Sequence, residues 1–361
     1  MAFALVAHGR AGFEPEVARD LDALAAAAHL RATPSVAAGS GFVVATLDAP
    51  LDVRRASSVL RGPQPVFARS VFAAHGPVAM ADPARAGPRP DRITPLAAAI
   101  DLVAAAGPFA ALWIEHPDTN DGKQMSPLAR SLHARLAAAL ASRGVRTDDA
   151  GARRRLHVLL VDGATAWVGV SDAATGSPWP MGIPRLHLPR AAPSRSTLKL
   201  AEAFVTFLGD DEAHRVHAGQ RAVDLGAAPG GWTWQLAQRG LRVVAVDNGA
   251  LKGAVAEDPR VTHVRADGLT FRPRKPVDWV TCDIVESPAR IAALMGRWIA
   301  EGHARQAIFN LKLPMKKRYD EVERCRALIG DALERHAVRA RLALRQLYHD
   351  REEVTGYLVR D

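Results

Sequence analysis

In the first half of the chain the apolar positions come in short runs broken by turn residues. Phe3 to Val6 reads as a strand, and Glu14 to about Leu30 as a helix with Val17, Leu21, Leu24 and Ala28 on one face. Phe42 to Leu47 returns as a strand, and Pro65 to Phe72 is a further apolar run. Residues 76 to 91 are rich in proline, glycine and charge, which predicts a linker closing a small α+β module near residue 85. A second module runs from Ile93 to about Asp172, with a helix (Leu96 to Ala106), a strand (Phe109 to Glu115) and a helix (Ser126 to Arg143). It ends in a hairpin, Leu156 to Val161 and Thr165 to Val170, because Asp162-Gly163 between them supplies a residue free to take positive φ. His116, His133 and His157 are scattered singly and read as core or surface histidines, so both modules are expected to bind rather than react.

Residues 171 to 195 hold five prolines and no period, and predict an extended connector. Beyond it strands and helices alternate. A helix begins at Ser196 or Thr197 and runs through Leu200, Phe204 and Phe207; then come strand Ala222 to Leu225, helix Trp232 to Arg239, and strands Arg242 to Asp247, Val261 to Ala266 and Val277 to Asp283. Helix Pro288 to Glu301, strand Gln306 to Leu313 and helix Tyr319 to His336 follow. Arg339 to Tyr348 and Glu353 to Val359, joined by a short loop, predict an antiparallel hairpin on an otherwise parallel sheet. Seven strands with a terminal hairpin at one edge is the Rossmann-like α/β arrangement of class I methyltransferases.

The stretch around which this half is organised is 224 to 236, where an apolar strand passes to a helix through a loop almost without side chains. Gly226, Gly230 and Gly231 can take backbone angles closed to other residues and let a ligand approach the main chain. For the glycines alone, an ordinary Gly-Pro turn is the alternative. Acidic residues sit where the first four strands should stop: Asp224, Asp247, Asp267 and Asp283. In an open α/β sheet these ends converge on one crevice. The second suits ribose hydroxyls, the third an adenine amine, and a sulfonium or ammonium cation would favour the whole rim.

Composition narrows the chemistry. No apolar run approaches the ~20 residues of a membrane span, and the first residues lack a basic leader and a cleavage site, so a cytoplasmic protein without membrane contact is expected. Cys282 and Cys325 cannot build a disulfide framework or a metal cage, and Cys325 shares a helical face with Val322, Leu328, Ile329 and Leu333. A net charge of +9 favours a polyanionic partner. Only seven of the 47 basic residues are lysines, so arginine serves wherever a plain charge suffices. Lysine can lose its proton and arginine cannot, which makes lysines near the pocket candidate bases. Lys199, in the first turn of a helix capped by Ser196 or Thr197, meets the unfavourable end of the helix dipole, which lowers an ammonium pKa.

Asp224-Leu-Gly-Ala-Ala-Pro-Gly-Gly-Trp, Lys199 before it, Val-Thr-Cys-Asp283, Asn310-Leu-Lys312-Leu-Pro and Arg351-Glu-Glu353-Val together resemble the RrmJ/fibrillarin class of S-adenosylmethionine-dependent ribose 2′-O-methyltransferases. The runs Met181-Gly-Ile-Pro-Arg, Arg195-Ser-Thr-Leu-Lys-Leu, Phe309-Asn-Leu-Lys-Leu-Pro-Met-Lys-Lys-Arg-Tyr and Gln346-Leu-Tyr-His-Asp-Arg-Glu-Glu-Val extend the likeness over the whole chain. They look like the RlmM family of bacterial 23S rRNA cytidine 2′-O-methyltransferases. The resemblance implies a ferredoxin-like module over 1–85, a THUMP-type RNA-binding module over 86–175, a linker over 176–195 and the methyltransferase domain over 196–361.

It also implies a Lys199, Asp283, Lys312, Glu353 tetrad, with S-adenosyl-L-methionine held by Ser196, Ala228, Pro229, Gly230, Gly231, Asp247, Asp267 and Asp283, and no metal. Lys312 would be the base for the ribose hydroxyl and Lys199 the charge that stabilises the oxyanion. Two ammonium groups in one site should push one pKa towards neutrality, with Asp283 and Glu353 limiting the shift. Glu352 adjoins Glu353 and competes for its role, while Cys282 is expected to be structural. The partner implied is 23S rRNA at the peptidyl-transferase loop, naked or in an early assembly intermediate, with Lys316, Lys317 and Arg318 as phosphate contacts. An NAD-dependent oxidoreductase would use the same glycines but needs neither the lysine pair nor the hairpin. A non-catalytic RNA-binding protein with a methyltransferase-like domain would not need the tetrad.

Overall fold

A computed structural model describes residues 1–55, 60, 62–80 and 90–361 and divides into two compact units, Met1–Ile183 and Pro184–Asp361. The division falls inside the proline-rich connector. The first unit holds strands β1 (Ala2–His8), β2 (Ala32–Ser35), β3 (Phe42–Leu51), β4 (Ser70–Ala79), β5 (Leu112–Glu115), β6 (Arg154–Leu160) and β7 (Thr165–Asp172). Its longer helices are α1 (Glu14–Ala27), α2 (Ile93–Asp101) and α3 (Ser126–Ala141). The strands form one sheet in the order β2-β3-β1-β4-β7-β6-β5, antiparallel throughout except between β5 and β6. The expected boundary near residue 85 lies outside the described residues. Strands expected in two modules nevertheless share this sheet, because β4 pairs with β7.

Several departures from the apolar pattern have local causes. β4 runs on to Ala79, through the start of the expected linker; the register shifts between His75 and Val78, so Gly76-Pro77 sits where the ladder is already interrupted and a missing N–H costs little. β2 went unpredicted because it is four residues long and contains Pro34, which is tolerated on a sheet edge. α1 stops at Ala27, short of Leu30, and His29 beyond it takes φ 57°. α2 starts at Ile93 because the carboxylate of Asp91 accepts from the backbone N–H groups of Ile93 and Thr94. His157 is no solitary histidine. Its ring nitrogens lie 2.7 Å from Glu115 Oε2 and 2.7 Å from Ser171 Oγ, tying β5, β6 and β7 together within the core. Burial works against charge on Glu115, but His157 and His8 beside it outweigh burial and hold its carboxyl below the usual range.

The second unit opens with α4 (Thr197–Phe207), β8 (Arg221–Leu225), α5 (Gly231–Gln238), β9 (Arg242–Val246) and β10 (Val261–Val264). It continues with β11 (Val277–Cys282), α6 (Pro288–Ala300), β12 (Ala304–Lys312), α7 (Arg318–Arg335), β13 (Ala340–Arg345) and β14 (Glu353–Arg360). The sheet order β10-β9-β8-β11-β12-β14-β13, parallel from β10 to β12 with β14 antiparallel to both its neighbours, is the class I methyltransferase topology. Leu200 and Phe204 of α4, with Trp232 and Leu236 of α5, pack on Trp279, Ile308 and Tyr357 of the sheet. Each such fully buried side chain contributes about 1.5–3 kcal/mol, which anchors α4 beside the sheet. α6 and α7 approach closely at Gly296, where an added Cβ would come within 3.0 Å of Ala332 Cβ. Cys325 is buried on α7, as its helical register predicts.

Candidate active site

Four side chains meet where the parallel strands end. Asp283 follows β11 directly, Lys312 is the last residue of β12, Glu353 is the first of β14, and Lys199 reaches in from the first turn of α4. Lys312 and Glu353 are direct partners in the β12–β14 ladder, so the antiparallel hairpin is what brings the glutamate to the lysine. Lys199 Nζ lies 2.5 Å from Glu353 Oε2 and 3.7 Å from Asp283 Oδ2. Lys312 Nζ lies 2.5 Å from Asp283 Oδ1 and 3.0 Å from Glu353 Oε1. Each side chain keeps between 13% and 22% of its surface, enough for a substrate to reach a group that is otherwise enclosed. Glu352, the neighbour that could have taken the place of Glu353, points instead to Arg318 at 3.0 Å on the exposed side.

Two residues absent from the expected set hold these four in place. Asn310 precedes Lys312 by two and so shares its face of β12; its amide nitrogen donates to Asp283 Oδ1 and to Glu353 Oε2, both at 3.0 Å. Its partner across the ladder is Thr355, whose Oγ1 lies 2.8 Å from Asn310 Oδ1 and 2.9 Å from Asp350 Oδ2. A hydroxyl has one proton, and an amide oxygen can only accept. The single Thr355 proton therefore lies between two acceptors, the Asn310 amide oxygen and the Asp350 carboxyl. Burial, reinforced by the nearby Glu353 charge, pushes the Asp350 carboxyl well above the ordinary range. The signal was present in the sequence as Asn310-x-Lys312 and Glu353-x-Thr355, two period-2 pairs on adjacent strands, and it needed the register to be legible.

Electrostatics correct one expectation. Burial opposes a charge on Lys312, but Asp283 and Glu353 outweigh it and raise the ammonium pKa above its ordinary value. The second ammonium does not win, because each lysine has both carboxylates within reach. A second correction concerns capping. Ser196 stands at the N-cap of α4 with helical angles and no side-chain capping bond; its hydroxyl pairs with Ser194 Oγ at 2.7 Å and its carbonyl accepts from Trp232 Nε1. Thr197 is fully buried and caps nothing either.

The loop between β8 and α5 lies beside this group. Its glycines are needed for the protein's own packing: an added Cβ would meet Val255 at 2.6 Å from Gly230 and would collide with Ser196 Oγ from Gly231. Asp247 shapes the loop, since one carboxylate oxygen accepts from Ala228 N at 3.0 Å and the other from Gly249 N at 2.7 Å. Each oxygen retains a second acceptor position. Asp267 is exposed and accepts from Leu269 N at 2.9 Å. Asp224 does not belong to the rim. It lies inside β8, 1% exposed, accepting from Thr233 Oγ1 and Thr281 Oγ1, and burial pushes its carboxyl up to about 6. Cys282 is buried in β11 with its thiol pushed up to about 12 by burial, which leaves it inert as a nucleophile. A rim of three carboxylates and backbone, Asp247, Asp267 and Asp283, fits a ligand that carries hydroxyls and positive charge.

The family model of FtsJ-like methyltransferases matches residues 192–322, and that of the N-terminal region of ribosomal RNA large subunit methyltransferase M matches residues 91–172. The chain is 46% identical to the ribosomal RNA large subunit methyltransferase M of Azoarcus sp. strain BH72, over 98% of this chain and 95% of that one. It is 46% identical to that of Methylococcus capsulatus, over 97% and 96%, and 47% identical to that of Aromatoleum aromaticum, over 99% and 95%. With its topology and its likeness along its whole length in agreement, the chain belongs to the ribosomal RNA large subunit methyltransferase M family.

Proposed function

We propose that this rRNA methyltransferase transfers the methyl group of S-adenosyl-L-methionine to the 2′-oxygen of a cytidine ribose in 23S rRNA. The observation that carries the reading is the enclosed group of two lysines and two carboxylates at the strand ends, with no competent thiol among the residues beside it. A ribose hydroxyl is weakly acidic and needs its proton removed as it attacks; Lys312 is the base, and Lys199, held by Glu353, stabilises the oxyanion. The cofactor, when bound, supplies an electrophilic methyl on a cationic sulfur. Ser196, the Ala228–Gly231 loop, Asp247, Asp267 and Asp283 would hold it. Asp283 would serve both the cofactor's site and Lys312, so positive charge bound there would loosen its hold on the Lys312 proton. Alignment of the two reactants supplies much of the remaining acceleration.

The cytidine, its place in the peptidyl-transferase loop, and a naked rRNA or early assembly intermediate as its carrier follow from the sequence resemblance, as do the THUMP-type role of the first unit and a cytoplasmic setting. Lys316 and Lys317 are exposed beyond Lys312 and are available to phosphates, whereas Arg318 is engaged by Glu352. The test is Lys312→Ala. It should bind the cofactor normally and lose about 10²–10⁴-fold in methyl transfer to unmodified 23S rRNA. Transfer within a fewfold of the parent would remove Lys312 from the chemistry.

A further inference from the structure

The opposite end of the same sheet carries a second cationic feature. Arg221 begins β8, Arg242 begins β9, and Arg260 immediately precedes β10; Arg221 and Arg242 are direct ladder partners. Each is two residues ahead of a position that faces one side of the sheet, Val223, Val244 and Thr262, which are themselves partners across the three strands. By the period of two, the three arginines stand in a row on that side. Like charges directly opposite one another on adjacent strands are destabilising, so such a row favours an anion that offsets it. No helix lies between β10 and β11. The connection instead brings Arg272, Arg274 and Lys275 to the same place, and row and connection enclose a cleft of about 600 Å³ floored by Val244, Val264 and Phe271.

Compensation from within the protein is partial. Arg260 is paired with Asp258 at 2.8 Å, Arg221 donates to the carbonyl of Pro276, and Arg272 to that of Phe271. The side chains of Arg242, Arg274 and Lys275 carry no hydrogen bond or ion pair among the described residues. Six cations around an apolar floor match a strand of nucleic acid, with phosphates on the rim and a base or ribose face on the valines and phenylalanine. We infer that this cleft is a docking site for single-stranded rRNA, away from the reacting centre at the carboxyl ends of the strands. The inference rests on the reading of the chain as an enzyme acting on large-subunit rRNA.

The experiment compares the full-length protein with an Arg242→Ala, Arg274→Ala, Lys275→Ala variant on an unmodified 23S rRNA transcript across a range of salt. All three side chains are exposed, so the fold is left intact. With three phosphate contacts removed, the slope of log affinity against log salt should fall by about 2, and KM for the RNA should rise about tenfold, with kcat and cofactor affinity unchanged. An Arg335→Ala, Arg339→Ala, Arg341→Ala control on other exposed positions should keep the parent slope. Arg242→Lys with Arg274→Lys should also keep it. An unchanged slope and KM in the alanine variant, while the parent protein methylates the transcript, would overturn the cleft and leave the function standing. A control variant as impaired as the cleft variant would overturn it too, by showing a general charge effect. A parent protein that transfers no methyl to the RNA would overturn the function and the docking site with it.

Discussion

The two ends of the methyltransferase sheet treat positive charge in opposite ways. At the carboxyl ends two lysines meet two carboxylates within 3.7 Å, and an amide bridges the carboxylates from behind. At the amino ends three arginines share one row, and Arg242, beside two further free cations, has no partner among the described residues. Charges that are already balanced are held in fixed geometry, which suits a reacting centre that must not rearrange during the reaction. Charges left unbalanced await an anion from outside, which suits binding. The comparison separates turnover from affinity within a single sheet.

The largest effect should come from the reacting end, where Lys312→Ala lowers turnover by about 10²–10⁴-fold while the cleft variant raises only KM; equal losses of kcat at both ends would erase the distinction. Next comes the pH dependence. Because Asp283 and Glu353 raise the pKa of Lys312, the free base is scarce at neutral pH and kcat should climb as pH rises. Glu353→Gln removes one of the two raising charges. Its pH–rate limb should move to lower pH even as the maximal rate falls, and a limb that stays in place or moves up would show that Lys312 is not the titrating group.

Between the two ends lies Asp224, whose carboxyl is raised from the ordinary 3.8 to about 6. A raised carboxyl means that the folded state holds its proton longer than the unfolded chain does. Stability should therefore fall as pH rises from about 4 to about 6, by about 3 kcal/mol, and level off above. Asp224→Asn, which keeps an acceptor for one of the two threonines, should flatten that slope in denaturation midpoints measured across the interval. A variant with the parent's slope would assign the pH dependence elsewhere. The smallest effect is expected from Lys316→Ala with Lys317→Ala, two exposed side chains near Lys312. The salt slope of RNA binding should fall by about 1–2. No change there would confine the phosphate contacts to other surfaces, the amino-end cleft among them.

Much of the methyltransferase half was legible from its pattern, because parallel strands buried on both faces and helices with one apolar stripe repeat their periods over many residues. The four tetrad positions could be singled out because lysine is rare in this chain and because the quoted motifs carry the resemblance. Asn310 and Thr355 could not be weighted in the same way: their importance lies in being opposite each other, and register across an antiparallel pair is a tertiary fact. Asp224 misled for a related reason. An aspartate near a strand end reads as rim, yet Thr233 and Thr281 close over it. In the first unit, β2 and the end of β4 were hidden by Pro34 and Pro77, residues that mark edges and interruptions as readily as loops.

Methyl transfer to a ribose oxygen through Lys312 leaves a chemical signature in the RNA. The direct measurement is transfer from labelled S-adenosyl-L-methionine to unmodified 23S rRNA, followed by alkaline hydrolysis. A methylated 2′-oxygen cannot attack the adjoining phosphodiester, so the labelled product should survive as an alkali-resistant dinucleotide whose first residue is cytidine, absent from the Lys312→Ala reaction. Label released in single nucleotides would place the methyl on a base and contradict the mechanism.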